Sequence, residues 1–82
     1  MNEGYFLGQV IDIGKFKFIY GSDLRHKSMI EITVKLVDKE ILIFRGYDDI
    51  ADDILRNKFK FVYILGQLRT AGYIEIKEIG KI

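Results

Sequence analysis

The chain has 82 residues, 49% of them hydrophobic and 30% charged, with a formal net charge of +1, no cysteine and no proline. That length holds one domain, residues 1–82, and leaves no room for a second; the absence of cysteine excludes disulfides and thiolate metal sites. Near-neutrality excludes bulk basicity as a way to hold a polyanion, so such a partner must meet a local positive patch.

The opening MNEGYFLGQ has neither the basic flank nor the apolar run of a signal peptide, and no window approaches the roughly 18 apolar residues of a membrane helix. A soluble, cytoplasmic protein is the expectation. Tyr5–Tyr20, YFLGQVIDIGKFKFIY, predicts a long first strand interrupted by Gly8 and Gly14, the bends with which a small barrel turns its corners. Its second half interleaves Phe16, Phe18 and Tyr20 with Lys15 and Lys17. For Phe16 and Phe18 a half-buried strand with solvated lysines is the simpler reading. Tyr20 lies at the mouth of the next loop and is more open. That loop, Gly21–Ser28, carries Arg25, His26 and Lys27. His26 has no second histidine or cysteine to share a metal with, and so reads as a polar loop residue.

Met29–Val37, MIEITVKLV, predicts a second strand with Ile30, Ile32, Val34 and Leu36 on one face and Thr33 and Lys35 on the other. Asp38-Lys39 is a tight turn. Glu40–Arg45, EILIFR, predicts a third strand, and its alternation is taken with Ile41 and Ile43 inward, Leu42 and Phe44 outward. In Tyr47–Asn57, Ile50, Ala51, Ile54 and Leu55 form a helical stripe. Asp48 is placed as its N-cap, with Asp49 in the first turn and Arg56 at the far end, where each suits the helix dipole. Asp48, Asp49, Asp52 and Asp53 cluster here, leaving 13 basic against 8 acidic residues elsewhere. Capping and a solvated outer face explain the cluster better than a metal does, and it repels a polyanion from that end. Phe59–Leu68 predicts a fourth strand, with Val62, Ile64 and Leu68 filling the core and Tyr63 outward. A turn at Thr70-Ala71-Gly72 leads into the fifth, Gly72–Ile79, with Tyr73 outward.

The order is β-β-β-α-β-β. In a chain of this size it is the order of the OB-fold, an all-β, five-stranded Greek-key barrel with one short helix between strands 3 and 4. Other small β-barrels share the periodicity.

VYILGQLRT, Val62–Thr70, closely resembles strand 4 of the bacterial single-stranded DNA-binding proteins, with Leu65 where that family has glutamate. Ile41–Thr70 as a whole resembles the family's strand 3, helix and strand 4. FLGQV, KFKFIYG, IEITV and YIEI are similar to its remaining strands. The chain departs from the family in its short second and fourth loops, in having no tryptophan and in ending KEIGKI rather than in an acidic tail. It is most similar to a short, tail-less relative, as in small primosomal, phage or plasmid single-strand binders. The resemblance implies an OB barrel that binds single-stranded DNA with little sequence preference, RNA being an alternative, in DNA replication or repair. It also implies a homo-oligomer, dimer or tetramer.

Single-strand binding requires aromatic faces for bases and cations for the backbone. Phe44 matches the family's base-stacking phenylalanine and is the first candidate. Tyr47 follows it, facing the same groove or bracing the helix. Tyr20 stands at the loop mouth; Tyr63 and Tyr73 either stack bases or serve the fold. The candidate phosphate contacts are Lys17, Arg25, Lys27, Lys35, Arg45 and Arg69, with Lys35 placed beside Phe44. A rival reading is an OB-fold protein-interaction module with Val37, Leu42 and Leu65 outward. No nucleophile set, phosphate loop or zinc spacing supports an enzyme, and no cofactor or metal is expected.

Overall fold

The β-branched runs form the strands and the segment around the acidic cluster forms the helix. The structure is a computed structural model and describes residues 2–19 and 25–82. Its elements are β1 (Glu3–Ile13), β2 (Lys17–Phe18), β3 (Ser28–Leu36), β4 (Ile41–Tyr47), α1 (Asp49–Asn57), β5 (Phe61–Leu68) and β6 (Ile74–Lys81). The expected first strand is thus divided. β1 ends at Ile13 and β2 begins at Lys17, while the Gly14 N–H still bonds to Glu31 O at 2.8 Å and carries the β1–β3 register one residue further.

The strands make one sheet in the order β1-β5-β6-β4-β3-β2, and a further β1–β3 pairing closes it. β2 only flanks β3, so the wall of the barrel has five strands and the arrangement is of OB type. Closure depends on β1 serving two neighbours. Glu3–Gln9 pair with β5, and Gly8–Ile13 pair with β3 across an irregularity between Val10 and Asp12. At the crossover a side chain has no room: a Cβ on Gly8 would stand 2.5 Å from Lys35 O and 2.8 Å from Val34 Cγ1.

Inside lie Ile30, Ile32 and Val34 from β3, Val62 and Ile64 from β5, and Ile76 from β6. Ala51 and Ile54 of α1 cover this core. Each large apolar side chain buried so completely contributes roughly 1.5–3 kcal/mol. Gly46 lets the helix come close, since a Cβ there would meet Ile50 Cγ2 at 2.7 Å. The helix ends on Lys58, whose left-handed backbone (φ 47°) turns its N–H onto Ile54 O at 3.1 Å. No helix among the described residues is long and apolar enough to cross a membrane.

Two expectations about facing are corrected. Phe44 is fully buried, packed edge-on against Phe6 at 5.2 Å between centroids, while Ile41 and Ile43 are 56% and 55% exposed. The register supplies the reason. Phe44 pairs with Ile32, and directly opposed residues of an antiparallel pair share a face. Once Ile32 points in, Phe44 must, and Leu42 packs against the core with it. Leu68 has inward parity but is the last residue of β5, at the rim, and is 51% exposed.

Gly8→Ala is expected to cost roughly 1–3 kcal/mol by overpacking, whereas Gly4→Ala, which meets nothing within 4 Å, stays within about 0.5 kcal/mol of the parent in urea unfolding. Phe44→Ala is expected to cost about 3–5 kcal/mol, most of the stability of a domain this small.

Candidate nucleic-acid interface

The same register that buries Phe44 defines what faces outward on β3 and β4. Met29 lies opposite Tyr47, Glu31 opposite Arg45, Thr33 opposite Ile43 and Lys35 opposite Ile41. Lys17 of β2 extends this surface beyond Met29. From β6, which runs parallel beside β4, the neighbouring Tyr73 joins the face.

Tyr47, Arg45 and Tyr73 form its centre. The two tyrosine rings meet at 6.5 Å and 60°, and the Arg45 guanidinium carbon lies 4.4 Å from the Tyr73 ring centroid. Such a cation–ring contact at a half-exposed site contributes about 0.5–1 kcal/mol. Arg45 Nε also donates to Glu31 Oε2 at 2.9 Å. That hydrogen bond raises the Arg45 pKa above its ordinary value against an opposing effect of burial, so the group stays cationic. Burial, followed by hydrogen bonding with Tyr73, raises the pKa of Tyr47, and Arg45 opposes this.

The loop entering β3 is tied to this cluster. His26 stacks on Tyr47 with centroids 4.2 Å apart and planes 19° from parallel. Its Nδ1 lies 2.8 Å from Asp48 Oδ2, and since an ionised carboxylate only accepts, Nδ1 is the donor. The other oxygen of Asp48 accepts the backbone N–H of Lys27 at 2.8 Å and of Ser28 at 3.3 Å. Asp48 therefore stands at the N-cap position without capping α1 through its side chain, which is committed to the loop. Its backbone (φ 53°) is strained for a residue with a side chain. The Lys27 N–H, then His26, hold its carboxyl below the ordinary carboxylate pKa.

The candidate residues separate as follows. Phe44 is lost to stacking because it is core; the rings that reach the surface nearby are Tyr47 and Tyr73. Lys35 is exposed as expected, but beside Ile41 rather than Phe44. Lys17, Arg25 and Lys27 are exposed. Arg45 is on the face, with part of its charge taken by Glu31. Arg69 is withdrawn as a phosphate contact: its guanidinium is 2.6 Å from a carboxylate oxygen of Glu75, a residue only 7% exposed. Tyr20 lies outside the described residues. Phe18, expected to be half-buried, is 67% exposed, edge-on to Phe16, which packs on the core. His26 becomes a structural member of the site through contacts 21 and 22 residues away, on Tyr47 and Asp48, and no local pattern announces these. Among the described residues no three His, Cys, Asp or Glu side chains gather to hold a metal.

No family model, curated protein or solved structure matches the chain. What the face does is therefore argued from its chemistry.

Asp48→Asn keeps the shape and removes the charge. A depressed carboxyl pKa stabilises the fold above the unfolded value of about 4, and that stability is lost as pH falls through the lower folded value. The variant is expected to be less stable than the parent at pH 7, with the gap closing below about pH 4. Urea unfolding across pH measures this.

Proposed function

We propose that the barrel binds single-stranded nucleic acid, single-stranded DNA in the first instance, with little sequence preference, as a binding module rather than an enzyme. The observation that carries this is the Tyr47–Arg45–Tyr73 cluster on the outer face of β3, β4 and β6, flanked by exposed Lys17, Lys27 and Lys35. Aromatic rings offer every base a stacking surface, at roughly 1–3 kcal/mol per base, and the lysines supply phosphate contacts that weaken with salt. Ile41 and Ile43 give the face an apolar floor against which sugars and bases pack. None of these groups demands or rejects a 2′-hydroxyl, so RNA is accepted by the same chemistry. Such a module suits a cytoplasmic protein that covers exposed strands during DNA replication or repair.

Labelled oligo-dT of about 30 nucleotides is expected to bind in anisotropy titrations, more weakly as salt rises, with duplex DNA binding less well. Tyr73→Ala should weaken binding about tenfold while the barrel stays folded, and Lys35→Gln should lower the salt slope by about 0.7. No binding at tens of micromolar in low salt would remove the proposal.

A second reading, a surface for other copies of this chain, is favoured by a separate observation. Tyr5, Leu7 and Val37 are 70%, 48% and 80% exposed. Leu7 pairs with Tyr63 and Tyr5 with Leu65, so these side chains adjoin on one face. None of these residues belongs to the Tyr47–Arg45–Tyr73 cluster, so the two readings are tested by separate variants. Light scattering at high micromolar concentration should then report a dimer or tetramer that Leu7→Glu dissociates; a monomeric parent would exclude it.

A further inference from the structure

Two of the candidate arginines are committed to acids, Arg45 to Glu31 and Arg69 to Glu75. A further group of lysines starts at Lys35, at the edge of the β3–β4 face, and continues around the barrel. Two open grooves, of about 350 and 320 Å³, share Phe61 and Ile82 as a common wall. The first is also lined by Lys58, Lys60 and Lys81, the second by Lys35 and Lys39. Neither is lined by an acidic side chain, and among the described residues none of these five lysines is in an ion pair. Asp38 and Glu40 flank Lys39 in its turn but line neither groove. Between the two sets stands the ring of Phe61, 57% exposed.

This region is continuous with the proposed binding face. Ile41 pairs with Lys35, Lys35 with Gln9, and Gln9 with Phe61. Partners in a sheet share a face, so these four exposed residues form one row across four strands, about 14 Å long at the usual strand spacing. The row starts at the edge of the β3–β4 face and ends at the second groove. There the Ile82 N–H bonds to Phe61 O at 3.2 Å, bringing Lys81 and Lys60 to the same place.

We infer that the single strand continues along this row to a second station, with a base on Phe61 and the flanking phosphates on Lys60 and Lys81. This rests on the proposed function and extends its footprint around the barrel. An exposed flat ring between lysines that are unpaired among the described residues matches alternating bases and phosphates, and the row that leads to it from the β3–β4 face has no acid among its four members. A purely acidic peptide would use the lysines and leave the ring unexplained.

The test compares the parent with Lys60→Gln/Lys81→Gln and with Phe61→Ala, on oligo-dT of about 20 nucleotides, which exceeds the roughly 4–16 that one OB barrel covers. All three positions are exposed, and unchanged thermal unfolding confirms that the variants fold. The double variant is expected to lower the slope of log affinity against log salt by about 1.4, two phosphate contacts at roughly 0.7 each on single strands. Phe61→Ala is expected to weaken binding about tenfold, one base stack. A parent that binds while both variants match it in affinity and slope would overturn the second station and leave the first standing. A parent that binds no oligonucleotide would overturn the proposed function and the extension with it. Poly-glutamate captured through Lys60 and Lys81 by a parent indifferent to oligo-dT would assign the grooves to an acidic peptide instead.

Discussion

Everything in this barrel depends on β1 being shared. Its first half pairs with β5 and its second half with β3, and the two pairings overlap at Gly8 and Gln9. Without that overlap the β1–β5–β6 and β3–β4 strands would form an open sheet with exposed edges, which invite association with other chains. With it, the sheet closes and each strand has one inner and one outer set of residues. The outer set of β3 and β4 is then fixed by default: once Ile30, Ile32 and Val34 fill the interior, Thr33, Lys35, Ile41, Ile43 and Arg45 have only the outside to occupy.

The electrostatics follow a division of labour. Half-exposed ion pairs contribute little to stability, about 0–1 kcal/mol, and their effect here is on orientation. Glu31 holds Arg45 where its guanidinium lies against Tyr73. Asp48 holds the end of the first loop against the start of α1, with His26 laid on Tyr47. Asp53 pairs with Arg56 within the helix, away from the barrel wall. Among the described residues the lysines around Phe61 have no such partners, so a chain with almost no net charge still gathers positive charge in one region.

Much of the architecture was legible in the sequence. The alternation of Ile30, Ile32 and Val34 predicted their burial, the Ile50–Ala51–Ile54 stripe predicted the helix, and the element order predicted the barrel. The split of the first strand is not legible, because a glycine such as Gly14 reads equally well as a bend within a strand or as its end, and only the pairing with β3 shows that β1 stops at Ile13 and β2 starts at Lys17. The facing of β4 was misread for a physical reason. ILIF is apolar at every position, so alternation carries no information there, and parity comes only from the partner strand. The resemblance of Ile41–Thr70 to the strand 3, helix and strand 4 of single-stranded DNA-binding proteins implies a stacking ring at the end of that strand. It points to Phe44, but the rings on the outer face there are Tyr47, three residues on, and Tyr73, just ahead of β6. Asp48 stands at the helix start as its sequence position implies, but its side chain has other partners than the helix, since its loop contacts lie 20 to 22 residues away in the chain.

The row from Ile41 to Phe61 runs across the strands rather than along them. Each of its members comes from a different segment of the chain: positions 41, 35, 9 and 61. No linear fragment of β1, β3, β4 or β5 contains more than one of them, so a peptide cut from this protein carries none of the surface as such. By the same token, each outward residue can be exchanged while the inward residues of its strand stay as they are. The chemistry of that surface can be tuned one strand at a time, on an interior that does not have to repack.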